Sequence, residues 1–246
     1  MQIDVLKDGG ATAVLSLKGV SPSFVNALRR AIISDLPAFA IDEIDMLENT
    51  SPLFNEYVAG RVGLVPLTWE ENASPDARVL FSLNAEAVDA PRVVYAGELT
   101  TDDPNIKVFA THVPLMKLGK GQRLRLQGTA LIGTAKRHAK FQSAMASFGQ
   151  LPEFKKNAKC DKCGECVKAC PQKIISDSIA LTAPEKCILC EECVEACEKE
   201  ALKVFPKEDE FVLFVESYNN LSALQQTKRA FEAMKAQADA AEKELK

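Results

Sequence analysis

Eight cysteines stand in two short stretches and nowhere else in the chain. The first stretch holds Cys160, Cys163, Cys166 and Cys170, followed by Pro171; the second holds Cys187, Cys190, Cys193 and Cys197. Each cysteine recurs 27 residues further on, and the run VKAC ending at Cys170 is echoed by VEAC ending at Cys197. The spacing C-x2-C-x2-C-x3-C, closed by proline in the first copy, is that of bacterial ferredoxin-type iron–sulfur ligands. Three thiolates two residues apart on a tight loop reach three irons of one cluster. The fourth points away and ligates the other cluster. The expected ligand sets are therefore crossed. Cys160, Cys163, Cys166 and Cys197 hold cluster one; Cys170, Cys187, Cys190 and Cys193 hold cluster two. The cofactors expected are two 4Fe–4S clusters, with a 3Fe–4S form or partial occupancy open to the same ligands. Gly164 suits a backbone that must approach a cluster closely.

The competing chemistry is two structural zinc ions, each taking four thiolates. The repeated spacing with its terminal proline favours iron and sulfide. Glu198 stands where a second proline would be expected, which leaves the ligand count intact. The segment from about Pro152 to Pro206 is poor in large apolar side chains, and its core candidates are Ile174, Ile175, Ile179, Leu181, Ile188, Leu189, Leu202 and Val204. A domain of this size is marginal without a staple, so bound metal is expected to supply much of its folding free energy.

The rest of the chain has to position that segment. The stretch MQIDVLKDGGATAVLSLKGV reads as a hairpin, with alternating apolar residues on either side of a KDGG turn. Ser21 is a candidate N-cap and Pro22 a first helical residue for a helix to Leu36, ended by Pro37. Phe24, Leu28, Ile32 and Leu36 step by four along it, a stripe that serves either as ordinary core or as a partner surface. From Ala38 to about Phe148 the chain reads as strand-rich, with RVGLVPLTW, RVLFSLNAEAV and RLRLQGTALIG as strands. One more strand is expected at Phe211–Glu216. A long C-terminal helix follows, with Leu221, Leu224, Phe231 and Met234 on its apolar face.

Catalysis has no foothold. There is no G-x-G-x-x-G, P-loop or G-x-S-x-G motif, and no catalytic residue is assigned. His112 and His138 read as structural, and KRHAK (Lys136–Lys140) reads as a solvated turn. The chain has 246 residues, 47% hydrophobic and 26% charged, with a net charge of −4. This is globular composition without the basic excess of a nucleic-acid binder, so no direct sequence-specific nucleic-acid contact is expected. No stretch reaches the ~20 apolar residues of a membrane helix. The N-terminus lacks an export signal, so a soluble cytoplasmic chain using its thiols for metal is expected.

NALRRAIISDLPAFAID (Asn26–Asp42), RVGLVPL (Arg61–Leu67) and GTAKRHAKF (Gly133–Phe141) together resemble the alpha-type assembly subunits of cellular RNA polymerases. The likeness is nearest to the archaeal D-type form, in the version carrying a two-cluster ferredoxin module; its eukaryotic counterpart is the third-largest subunit of polymerase II. The resemblance implies an α+β chain of three parts. A dimerisation domain is built from both termini (1–40 plus 208–246). A strand-rich insertion domain covers 41–152, and a bacterial-type ferredoxin-like domain covers 153–207. It further implies pairing with a smaller alpha-like subunit, L, through Phe24, Leu28, Ile32, Leu36, Leu221, Leu224, Phe231 and Met234. Recruitment of the small N and P subunits and of the second-largest subunit would follow. The chain would then belong to a nucleotidyltransferase without carrying its active site. The cysteines taken alone point instead to an electron-transfer subunit of a redox complex, which the absence of any flavin or nucleotide motif opposes.

Overall fold

The computed structural model describes residues 1–245. In chain order the elements are β1 (Gln2–Asp8), β2 (Thr12–Lys18), α1 (Pro22–Ser34), β3 (Ala38–Asn49), α2 (Asn55–Gly63), β4 (Arg78–Ala87), β5 (Arg92–Tyr95) and β6 (Thr100–Thr101). There follow β7 (Pro114–Leu118), β8 (Gln122–Gly133), β9 (Ala144–Lys156), α3 (Glu165–Ala169), α4 (Glu192–Glu195), β10 (Leu202–Ser217) and α5 (Ala223–Glu244). The fold is mixed α+β, with two four-stranded sheets ordered β1-β2-β10-β9 and β3-β8-β4-β6 and a β5-β7 pair. The chain forms two compact units. One comprises residues 1–8, 13–29 and 147–214; the other comprises 9–12, 30–146 and 215–246.

In the first unit, β1 and β2 form the expected antiparallel hairpin, with Ile3 opposite Leu17 and Val5 opposite Leu15. Ser21 caps α1, its Oγ accepting from the Phe24 N–H at 3.3 Å. β9 and β10 lie side by side and leave the sheet as a two-stranded stem. The stem ends where the Asn157 N–H donates to the Ala201 carbonyl at 2.9 Å, and the whole cysteine segment lies between those two residues. β10 is longer than expected and runs through Pro206. Gly19 N–H donates to the Asp209 carbonyl, so β2 ends there and Leu202–Glu208 lies beyond it. A proline is tolerated in a strand where no ladder donor is required of it.

In the second unit the core lies on the β3-β8-β4 sheet. β4 alternates as a half-buried strand should, with Val79, Phe81, Leu83, Ala85 and Ala87 inward. β8 supplies Leu124, Leu126 and Ala130. Gly133 has no alternative, because a Cβ there would sit 2.9 Å from the Phe141 ring. RVGLVPLTW is not a strand. Arg61–Gly63 end α2, and only Leu67 makes an isolated bridge, to Val108. Val58, Val62 and Val65 recur at helical spacing and are all buried, so periodicity of 3.6 wins over a short apolar run that looks like a strand.

β3 carries a bulge. Ile41 pairs with Ala130 and Glu43 with Thr129, which leaves Asp42 as the extra residue. The bulge aims its carboxylate at Arg137 (2.6 Å) and at the Lys140 ammonium. Lys136 pairs with Asp35 at 2.9 Å. Three cations of KRHAK are thereby engaged within the chain, and His138 Nδ1 accepts from the Lys140 backbone N–H.

α5 opens on a capping box. Ser222 Oγ accepts from the Gln225 N–H, while the Gln225 side chain accepts from the Ser222 N–H. Gln226 is fully buried and donates to Asn219 Oδ1 at 2.9 Å. The Arg229 guanidinium lies 4.3 Å from the centre of the Trp69 ring and donates to the Pro37 carbonyl at 2.9 Å. Burial lowers the pKa of Arg229, and this aromatic face and carbonyl offset the cost of the buried charge.

Candidate metal centre

The cysteine segment is built mostly from turns. Its two helices, α3 and α4, are each about one turn long, and they occupy equivalent places in the duplication. The backbone repeats with the sequence. Lys162, Gly164 and Lys173 have positive φ (61°, 82° and 52°), and so do Leu189, Glu191 and Glu200 (53°, 64° and 49°), each 27 residues later. Both loops thus read cysteine, x, left-handed residue, cysteine, left-handed residue, x, cysteine. Glycine takes this conformation freely at position 164, whereas Glu191 adopts it with a full side chain. Alternation of left- and right-handed residues turns successive N–H groups toward one side, a concavity that favours negative charge.

All eight cysteines are free thiols, with Cys166 and Cys170 buried and Cys163 and Cys190 exposed. They line two cavities in groups of four. Cys160, Cys163, Cys166 and Cys197 surround a space of about 320 Å³. Cys170, Cys187, Cys190 and Cys193 surround a tighter one of about 20 Å³. The thiols of each group act on one another. Burial raises the pKa of Cys166, and Cys163, Cys160 and Cys197 push it the same way. Burial pushes Cys193 up to about 11, with Cys170, Cys187 and Cys190 adding to it. Four thiolates crowded together require positive charge at their centre.

Among the described residues, no group of three or more His, Cys, Asp or Glu side chains is arranged to hold a metal ion. Tetrahedral zinc with bonds of about 2.3 Å would draw four sulfurs to within roughly 4 Å of one another. The donors suit a polynuclear group, whose irons stand apart. The first cavity accommodates one as it is. At the second the walls must move outward, because its volume is close to that of a single water.

The surroundings of the two groups differ. At the first, Asp161 Oδ1 accepts from the Cys163 N–H at 3.3 Å, and its other oxygen meets the Lys199 ammonium. Asp161 follows Cys160 and Lys199 lies two residues beyond Cys197, so this ion pair joins two ligand-bearing stretches. The Ala201 N–H donates to Cys197 Sγ at 3.3 Å. At the second, Phe154, Ile174, Ile175, Leu181, Leu189 and Val204 form the wall. Spacing alone did not single out the Asp161–Lys199 pair. The signal was there in opposite charges flanking the outermost ligands of one expected set.

The eight residues expected at a partner surface divide in two. Leu28, Ile32 and Leu36 are 0–2% exposed and belong to the chain's own core. Phe24, Leu221, Leu224, Phe231 and Met234 keep part of their side chains exposed. Among the described residues no helix is long and apolar enough to cross a membrane.

The frame around the cysteines belongs to a known class. Residues 14–238 match the RNA polymerase Rpb3/Rpb11 dimerisation domain, and the chain is a member of that family. The match encloses the whole cysteine segment. Among similar proteins is DNA-directed RNA polymerase subunit Rpo3 of Pyrobaculum arsenaticum, 36% identical over 93% of this chain and 90% of its own length. The Methanosarcina acetivorans protein of the same name is 32% identical over 97% and 96%. That of Archaeoglobus fulgidus is 32% identical over 70% of each.

Proposed function

We propose that this chain is a non-catalytic assembly subunit of an archaeal DNA-directed RNA polymerase, equivalent to the D-type subunit in its two-cluster form. The observation that carries the reading is the family match from residue 14 to residue 238, which brackets the cysteine segment with dimerisation sequence on both sides. The chain works in the cytoplasm as part of a nucleotidyltransferase whose active site lies elsewhere. Residues 1–40 and 208–246 form its dimerisation domain, 41–152 an insertion, and 153–207 a ferredoxin-like module. The smaller alpha-like subunit, L, contacts the exposed parts of Phe24, Leu221, Leu224, Phe231 and Met234, whereas Leu28, Ile32 and Leu36 are buried in the chain's own core. The small N and P subunits and the second-largest subunit join afterwards.

The module holds two 4Fe–4S clusters on crossed ligand sets. Support comes from the two groups of four thiols around separate cavities and from the doubled left-handed turns. The clusters would supply the positive iron centres that these thiolates need, and their role is mainly structural. An electron-transfer role draws no support from relatives that are named as polymerase subunits.

Co-expression with the smaller subunit tests both halves of the reading. Phe231→Asp is expected to abolish co-purification while circular dichroism stays native, because burying an unpaired carboxylate in an apolar contact costs more than the roughly 2–7 kcal/mol of an unpaired neutral polar group. Leu28→Asp is the poorer probe, since Leu28 is core and its loss unfolds the chain. Anaerobic protein is expected to carry about eight irons with matching acid-labile sulfide. Triple replacement of Cys160, Cys163 and Cys166 by serine is expected to spare the heterodimer and weaken recovery of the large subunits. Loss of the smaller partner too would show that the module supports the whole fold.

A further inference from the structure

The two sites share a backbone and a ligand set but not a lining. We propose that the Asp161–Lys199 ion pair is a positioning device for the first site, and that this site is the exchangeable one of the two. The inference rests on the cluster reading above.

At the first site the thiols ring a cavity of about 320 Å³ whose rim is charged: Asp161, Lys162, Glu165, Glu198 and Lys199. The crossed arrangement requires Cys197 to close on the loop Cys160–Cys166 from the far end of the segment. Asp161 and Lys199 join these stretches beside the ligands, and both side chains are about half exposed. Asp161 also fixes the loop through the Cys163 N–H. Water and small chelators reach this rim directly, and what closes it is an exposed ion pair, which is weak and screened by salt.

The second site has no equivalent. The positions that correspond by the 27-residue repeat and its crossing are Ile188 and Gln172, which cannot form an ion pair. Its cavity is lined mainly by apolar residues, with Gln172 and Glu191 as the polar exceptions, and each site has one buried and one exposed thiol. A cluster there would be surrounded by hydrocarbon, slow to enter and slow to leave. The first site therefore fills and empties before the second, and the charge pair sets its rate.

The experiment uses the full chain co-purified anaerobically with its partner subunit, after iron and sulfide have been counted. Bathophenanthroline disulfonate is added and iron release is followed by absorbance. Two phases are expected. The fast phase should be missing from Cys163→Ser and retained in Cys190→Ser. Asp161→Asn should speed the fast phase about threefold and leave the slow one alone, and the difference should vanish in high salt. Asp161→Glu, which keeps the charge, should stay near wild type. Leu189→Asn suits its left-handed position and makes the second wall polar, so it should speed only the slow phase. If a cysteine variant fails to load, Asp161→Asn against Leu189→Asn still decides. A fast phase lost in Cys190→Ser, or unchanged rates in Asp161→Asn, overturns the assignment. Two zincs without sulfide at the first count overturn the cluster reading, and this assignment with it.

Discussion

The β3-β8-β4 core and the cysteine segment solve the same problem with different materials. The first buries 21 apolar residues in one cluster, three of them aromatic or methionine: Phe39, Phe81 and Met116. The second buries four aliphatic side chains, Ile174, Ile175, Ile179 and Leu202, together with Cys166 and Cys170. One of those four, Ile179, is held at φ 56°, a costly conformation for a β-branched residue. A core of that size does not outweigh the entropy of ordering some 45 residues. The comparison teaches that the first region is stable because of what it excludes, whereas the second would owe its stability to whatever its thiols were to bind.

Three experiments would break or sharpen this contrast. The largest effect is expected in the packed core. Phe81 is fully buried, and Phe81→Ala should cost about 3–5 kcal/mol in global unfolding, whether or not metal is bound. A cost that depended on metal content would merge the two regions into one cooperative unit. Second, stripping metal with a chelator should remove hydrogen-exchange protection between residues 157 and 201 and leave the amides of β3, β4 and β8 protected. Loss of protection in β8 would end the distinction.

The third and smallest effect concerns pH. The hydrogen bond from Lys140 comes first in holding the Asp42 carboxyl below its ordinary value of 3.8; burial opposes it, and the charges of Lys140 and Arg137 reinforce it. A carboxyl with a depressed folded pKa contributes stability above the unfolded value and loses it as pH falls through the folded one. Asp42→Asn should therefore lower Tm by about 2–6 °C at pH 7. The gap should close as pH is lowered below 3.8 toward the folded pKa, as a thermal melt series would record. A constant gap across that range would remove the bulge carboxylate from the acid response.

Much of the frame was legible in the sequence because local rules and tertiary context agree there. The β1–β2 hairpin, the Ser21 cap and the alternation of β4 follow from period and punctuation, whereas α5 starts after Leu221 and buries Ala223, Gln226, Thr227 and Ala230 rather than the expected stripe of Leu224, Phe231 and Met234. α2 was missed because its start has no side-chain cap at Phe54, and its end, RVGLVPL, reads as an apolar strand. β9 contains Gly149 and Pro152, and β10 contains Pro206, so both look like breaks rather than a stem. The thiol groups were legible because spacing is itself the chemistry. What surrounds them was not, since Phe154, Leu181 and Val204 line the second cavity from stretches that only the fold brings together.

The contact between Arg229 and Trp69 has an optical consequence. Trp69 is the only tryptophan in the chain, and its ring sits under a guanidinium carried by α5. The tyrosines are Tyr57, Tyr95 and Tyr218, so the segment between Asn157 and Ala201 contributes no ultraviolet emission of its own. Intrinsic fluorescence therefore reports the seating of α5, whereas visible colour would belong to the cysteine segment alone. The molecule carries two separate gauges, readable in one cuvette, without a label on either.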